Sequence, residues 1–362
     1  MTVRSGLGDP GTAGLGDPGT AAPTAVLAGL GSALPPRVVT NHDLTARMDT
    51  SDEWIRTRTG IAERRIVDPG TATSDLAIEA GRRALDSAGG PDVGAVVVAT
   101  ATPDHPCPAT GPTVAAGLGL GTVPAFDVGA VCSGFLYALA TGAGLIASSV
   151  ADSVLVVGAD AFTTIVDPYD RNTAPIFADG AGAVVLRAGR ADEPGALRRT
   201  ELASDGMQAD LIRVAAGGSR QRSHHSAALR EDQYLTMRGG EVFKNAVLRM
   251  TEASRTVLDR TGWSTADVDL LVGHQANVRI LHAVAEQLGI GQERAYVNIG
   301  HTGNTAAASI PLALDDAHGE GRLRAGDKVL LTAFGAGTTW GAITLTWPDG
   351  LQYTGMPNSA AA

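Results

Sequence analysis

The sequence predicts an α/β protein made of two similar halves, and three observations carry that expectation. Val-rich runs at residues 94–100 and 153–158 lack polar alternation, as strands covered on both faces do. Apolar residues at helical spacing separate such runs. An order of segments met between residues 95 and 162 then returns between residues 269 and 337.

Taken in order, the first expected strand covers residues 25–30. Ser51 has N-cap chemistry for a helix ending at Thr59 with Gly60 just beyond, and residues 74–88 read as a longer helix closed by Gly89. A short strand at 126–128 turns at Gly129–Ala130 into an apolar helix. Residues 128–151 carry no charge, and those 24 residues could span a bilayer. Acids bound them, at Asp127 and Asp152, and Ser, Thr and Gly dilute them, so a helix buried in a protein core is expected instead. Later, Val242, Phe243, Ala246, Val247, Met250, Val257 and Leu258 mark a helix stopping at Gly262, and Ile280, Leu281, Val284, Ala285 and Leu288 mark one stopping at Gly289.

The duplication is specific. AVVVATATPD (95–104), FDVGAVCSGFLYAL (126–139) and SVLVVGADAF (153–162) are matched by DLLVGHQAN (269–277), VNIGHTGNTAAASIPLAL (297–314) and KVLLTAFGAG (328–337). Each middle segment sets a polar residue at a helix mouth, Cys132 in one and Asn304 in the other, and a pseudo-dyad would bring the pair face to face. The expected organisation is a tail at 1–23, a first half at 24–195 and a second at 196–362. Residues 6–21 are a tandem GLGDPGTA repeat, too rich in Gly, Pro and Asp to bury a core, so the tail is expected to be disordered.

Composition excludes several functions. With 362 residues, 44% apolar and 18% charged, the chain can bury a large core. A net charge of −10 argues against nucleic acid as the main partner, because holding phosphates takes clustered Lys and Arg. The only cysteines, Cys107 and Cys132, form no CxxC pair and no disulfide framework, and residues 1–25 lack the apolar centre of a signal peptide. A reduced, cytoplasmic protein with no membrane span is expected. GLGSAL (29–34) lacks the third Gly of a dinucleotide loop and runs into Pro35–Pro36, GLGLG (117–121) precedes a strand, and His224–His225 have no second ligand pair. No metal or redox cofactor is implied.

The chemistry rests on Cys132, His274 and Asn304. A thiol at the positive end of a helix should have a lowered pKa. His274 follows a strand and precedes a helix, where rigid scaffolds commonly present functional groups. Asn304, in GHTGNT, could be an ordinary helix cap or an amide donor. The set Cys132 in AVCSGF, His274 in GHQAN and Asn304 in GHTGNTAAASIP, followed by AFGAGTTWG (333–341), resembles the β-ketoacyl-acyl carrier protein synthase III family of thiolase-fold condensing enzymes. MDTSDEWIRTRTGI (48–61), PAFDVGAVCSGF (124–135), FADGAGAVVL (177–186) and GGEVFKNAV (239–247) extend the resemblance from about Thr24 to Trp347.

The resemblance implies a thiolase-like fold, its two α/β halves layered α-β-α-β-α, and a two-step reaction. An acyl group from acyl-CoA would load on Cys132, and malonyl-acyl carrier protein would then lose carbon dioxide and condense with it. His274 and Asn304 would donate to the enolate, and the backbone N–H groups of Cys132 and Ala336 would form an oxyanion hole. Thr50, Trp54 and Arg58 would hold the nucleotide end of CoA, with Trp54 and Arg171 enclosing the adenine and Asn277 and Arg279 along the pantetheine or carrier arm. Cys107 would reach across a homodimer to line the partner's acyl pocket, where its small side chain leaves room for longer or branched acyl groups. No cofactor is needed, since acyl-CoA is a substrate. Arg213, Arg220, Arg222 and Arg230 form a basic patch suited to an acidic carrier protein. The alternatives are a starter-unit ketosynthase or acyltransferase of a specialised polyketide pathway, a Cys-His-Asn hydrolase, and a subunit without chemistry.

Overall fold

Strands form where small and β-branched residues run without a polar face, because both faces of each sheet are covered by helices. The structure, a computed structural model, describes residues 22–225 and 227–354. The GLGDPGTA repeat lies outside the described residues. The first sheet contains β1 (Thr24–Ala33), β2 (Ala95–Ala99), β3 (Ala125–Val128), β4 (Ser153–Asp160) and β5 (Gly180–Gly189), in the spatial order β1-β5-β4-β2-β3. Its β1/β5 and β5/β4 pairs are antiparallel, and its β4/β2 and β2/β3 pairs are parallel. The second sheet contains β6 (Leu197–Ser204), β7 (Leu270–Gly273), β8 (Lys328–Gly335) and β9 (Thr339–Thr346), ordered β6-β9-β8-β7 with the same sequence of senses. It repeats the first sheet without a counterpart of β3, where a single bridge from Leu271 to Ala295 stands instead.

The helices occupy three layers. Between the sheets lie α3 (Gly134–Ala147) and α6 (Ser309–Gly319), whose Leu136, Leu139, Ile310 and Leu314 pack with Val154 and Val184 on one side and Leu331 and Ile343 on the other. Outside the first sheet, α2 (Thr73–Ser87) packs Ala77, Ala80 and Ala84 on Leu155, Val157 and Val185. Outside the second, α4 (Gly239–Thr261) and α5 (Val278–Leu288) cover Leu330 and Ala342. Along β4, Val154 and Val156 point inward while Leu155 and Val157 point outward. This double burial is why the strand shows no alternation. The uncharged 128–151 stretch contains α3, and among the described residues no helix is long and apolar enough to cross a membrane.

Local signals place the helix ends. In α1 (Asp52–Thr59), Ser51 accepts a hydrogen bond from the Trp54 N–H at 3.1 Å, and Gly60 takes the left-handed conformation at φ +84°. Gly262 and Gly289 end α4 and α5 the same way. Strands β5, β6 and β9 escape sequence reading, because β5 is rich in Gly and Ala and β6 in polar residues.

One sequence expectation is corrected. The 3-10 turn Val131–Ser133 opens α3 and the turn Ala306–Ala308 opens α6, and their first residues share a left-handed backbone, at φ +44° and +48°. The structural counterpart of Cys132 is therefore Ala307, and Asn304 stands three residues earlier, opposite Gly129. Segment 297–314 carries extra residues ahead of its helix, which displaces the match read from sequence.

The halves meet backbone to backbone at Gly158, where an added Cβ would lie 2.4 Å from the Ala307 carbonyl oxygen. Gly158→Ala should therefore cost about 1–3 kcal/mol of stability, read as a lowered urea midpoint at unchanged slope.

Candidate active site

Cys132 is buried at the mouth of α3, just after Val131, whose left-handed backbone is uncommon for a β-branched residue. The end of β8 closes over it. A Cβ on Gly335 would lie 2.9 Å from the backbone nitrogens of both Cys132 and Ser133. The hydroxyls of Ser133 and Thr339 share a hydrogen bond of 2.6 Å, and Thr339 also donates to the Ala336 carbonyl at 3.1 Å. These contacts pin the 335–339 loop above the thiol.

The equivalent place in the other half is filled. Asp160 ends β4 as Gly335 ends β8, and its Oδ2 accepts from the Ala307 N–H at 3.0 Å. A carboxylate thus caps the mouth of α6, while Gly335 brings no side chain to the mouth of α3.

Burial, and secondarily the charge of Asp160, hold the Cys132 thiol above its ordinary range. This reverses the lowering expected from the helix end. A thiol raised above its ordinary range is protonated near neutral pH.

His274 follows β7 and is buried, with its backbone N–H donating to the Thr332 carbonyl at 2.8 Å. Its Nδ1 lies 2.6 Å from the Ser309 hydroxyl, which also accepts from the Gln275 N–H at 3.3 Å. With that N–H filling an acceptor site, the hydroxyl can give its own proton to Nδ1, which leaves Nε2–H as a donor. Burial pushes the imidazole pKa down to about 3, so the ring is neutral near pH 7.

Asn304 is clamped through its backbone. Its N–H donates to Ile176 at 3.0 Å and its carbonyl accepts from Ala178 at 2.8 Å. Its side-chain Oδ1 accepts from the Ala306 N–H at 3.0 Å, so the amide NH2 is the group left for a ligand.

Cys132, His274 and Asn304 line one cavity of about 440 Å³. Its interior is apolar, with Phe162 and Phe177 stacked at 4.6 Å and Ile212, Met237 and Phe334 nearby. Basic groups are also on its lining, from Arg58, Arg171, Lys244 and Arg279. Trp54 lies under two guanidinium groups, Arg171 at 5.3 Å and Arg58 at 5.9 Å from the ring centroid. A base stacked between Trp54 and Arg171 needs about 7 Å, twice an ordinary contact, so Arg171 must draw back to admit one. Asn277 caps α5 by accepting from the Arg279 N–H at 2.9 Å, and it donates to the Arg58 carbonyl at 2.8 Å, tying α5 to α1. Arg279 lies over Phe243 at 5.5 Å.

Thr50, Cys107 and Ala336 are not on the cavity wall. Thr50 precedes the α1 cap, Cys107 is exposed, and Ala336 directly follows Gly335. In the basic patch, Arg213 is paired with Asp210 at 2.5 Å and Arg230 lies over Tyr234 at 5.7 Å. His224 and His225 are exposed. Sequence reading missed Gly335, Asp160 and Ser309. A polar residue ending an apolar strand was the available signal for Asp160; Gly335 and Ser309 become visible only through contacts across the fold.

Two outcomes follow from this geometry. Gly335→Ala should slow acyl transfer to Cys132 by about a hundredfold or more and also lower the unfolding midpoint, because its methyl would lie 2.9 Å from the backbone nitrogens of Cys132 and Ser133. In protein labelled at histidine, the His274 ring carbons should keep neutral-form chemical shifts from about pH 8 to pH 5.

Comparison with known proteins places the chain in a family. Family profiles described as 3-oxoacyl-[acyl-carrier-protein] synthase III and its C-terminal region match residues 126–206 and 258–347. The chain is 61% identical to β-ketoacyl-[acyl-carrier-protein] synthase III 3 of Streptomyces coelicolor over 326 residues, covering 90% of this chain and 97% of the relative. It is 52% identical to the synthase III of Pseudomonas aeruginosa over 326 residues, again 90% of this chain and 97% of the relative. The crystal structure of a 3-oxoacyl-(acyl carrier protein) synthase III from that organism superposes with a TM-score of 0.84 at 50% identity, covering 90% of this chain and 99% of that one. The priming β-ketosynthase of a polyketide biosynthetic pathway superposes with a TM-score of 0.84 at 32% identity, covering 92% of this chain and all of that one. The layered architecture is the thiolase-like fold, and the chain belongs to the β-ketoacyl-acyl carrier protein synthase III family of condensing acyltransferases.

Proposed function

We propose that the chain catalyses acyl transfer from acyl-CoA to Cys132, followed by decarboxylative condensation with malonyl-acyl carrier protein. The observation that carries the reading is the single cavity with basic groups and an apolar interior, in which a buried thiol lies beside two neutral donors and beneath a side-chain-free strand end. In the first step the Cys132 sulfur attacks the thioester carbonyl, the bond from carbon to the CoA sulfur breaks, and the Cys132 proton ends on the departing CoA thiol. The N–H groups of Cys132 and Ala336 stabilise the tetrahedral oxyanion.

In the second step the malonyl thioester loses carbon dioxide, and its enolate oxygen takes hydrogen bonds from His274 Nε2 and the Asn304 amide. Neither donor gives up its proton easily, which keeps the enolate from being quenched. The enolate carbon attacks the acyl-enzyme carbonyl, the carbon–sulfur bond breaks, and Cys132 leaves as a thiolate that regains a proton from water. The balance needs no cofactor.

Thr50, Trp54, Arg58 and Arg171 hold the nucleotide end of CoA, and Asn277 and Arg279 guide the pantetheine or carrier arm. The enzyme works as a cytoplasmic homodimer, with Cys107 of each protomer lining the partner's acyl pocket and admitting longer or branched starters. Likeness to both a β-ketoacyl-[acyl-carrier-protein] synthase III and the priming β-ketosynthase of a polyketide pathway supports a place at the start of fatty acid or polyketide chain synthesis.

Intact-protein mass spectrometry tests the reading. Acyl-CoA should add one acyl group to the parent and none to Cys132→Ala, and malonyl-acyl carrier protein should then remove it as a ketoacyl product two carbons longer. Asn304→Ala should load normally and lose the second step by about 10²–10³-fold. Adducts that only hydrolyse in the parent would overturn condensation.

A further inference from the structure

Asp160 is wholly buried and ionisable, yet the reaction as derived gives it no part. Its two oxygens face opposite halves. Oδ1 accepts from the Ala101 N–H at 2.7 Å, the Thr102 N–H at 3.2 Å, and the hydroxyls of Thr100 and Thr102 at 3.1 and 3.0 Å, all in the first half. Oδ2 accepts from one donor in the second half, the Ala307 N–H at 3.0 Å.

The neighbouring N–H, that of Ala306, holds the Asn304 side-chain oxygen. Ala306 sits at φ +48°, a conformation that disfavours a residue with a Cβ and persists only where surrounding contacts hold it. The charge-assisted bond from Asp160 to the next amide is such a contact. Burial raises the Asp160 carboxyl and the surrounding donors pull against that rise, leaving it at about 6, so the carboxylate is the prevailing form near pH 7.

We infer that Asp160 is a positioning residue for Asn304: by capping Ala307 it holds the strained Ala306 turn, and that turn aims the Asn304 amide into the cavity. This rests on the enolate-binding role given to Asn304 above. The substitution Asp160→Asn leaves one side-chain oxygen for two sets of donors. That oxygen stays with the four donors of the first half, and the NH2 then faces the Ala307 N–H, so the bond between the halves is the one lost.

The experiment times the two steps separately in the full chain. Asp160→Asn should load acetyl from acetyl-CoA no more slowly than the parent, and its pre-loaded acyl-enzyme should react with malonyl-acyl carrier protein at least about tenfold more slowly. The double variant Asp160→Asn with Asn304→Ala should be no slower in the second step than Asn304→Ala alone, because both changes disable one group. Should Asp160→Asn fail to fold, replacing the Ala307 amide by an ester through incorporation of lactic acid removes the same hydrogen bond with the carboxylate in place, and it should reproduce the selective loss. Equal slowing of both steps, or effects that multiply in the double variant, overturns the inference. If Asn304→Ala itself leaves the second step at the parent rate, the enolate role of Asn304 fails and this inference falls with it, a signature distinct from the other two.

Discussion

Two close approaches without side chains organise this molecule: the end of each central strand meets the mouth of the opposite half's middle helix. Gly158 of β4 lies against the Ala307 carbonyl, and Gly335 of β8 lies over the nitrogens of Cys132 and Ser133. Only glycine permits such contact, since a Cβ at either place would sit inside the van der Waals distance of backbone atoms. The two sheets, the paired middle helices and the strained turns at Val131 and Ala306 all converge on this junction.

The duplicated architecture becomes an active site by being made unequal. At one helix mouth Asp160 satisfies the free amide of Ala307. At the other, the equivalent strand position is Gly335, which brings no side chain to cap the helix mouth, and Cys132 lines the cavity. A capped mouth stabilises structure, and the uncapped one is the place where the proposed reaction develops its oxyanion. The same backbone geometry serves both purposes, and the side chain at one strand end decides between them.

Electrostatics in the cavity follow from burial. The thiol is held protonated, the imidazole is held neutral, and neither carries a charge that would have to be desolvated before an acyl chain enters. The charge on the cavity wall belongs to Arg58, Arg171, Lys244 and Arg279. On a protein of net charge −10 this local reversal of sign is the feature that attracts an anionic ligand.

Much of this was legible in the sequence. Buried strands and the helix caps at Ser51, Gly262 and Gly289 declare themselves locally, because apolar period and cap chemistry depend on near neighbours in the chain, while the trio Cys132, His274 and Asn304 emerged from the resemblance of their motifs to a known family. The raised Cys132 thiol did not, since it follows from burial contributed by distant segments. Nor did the true counterpart of Cys132, which is Ala307, or the importance of Gly335, Asp160 and Ser309. Their partners lie 35 to more than 140 residues away, as Asp160 does from Ala307 and Ser309 from His274. Sequence by itself determined the buried strands and capped helices, which follow from residue type and spacing, and through motif resemblance the groups that can react; tertiary structure alone decided which helix mouth carries a capping side chain, because that depends on side chains brought together only when the two halves close on each other.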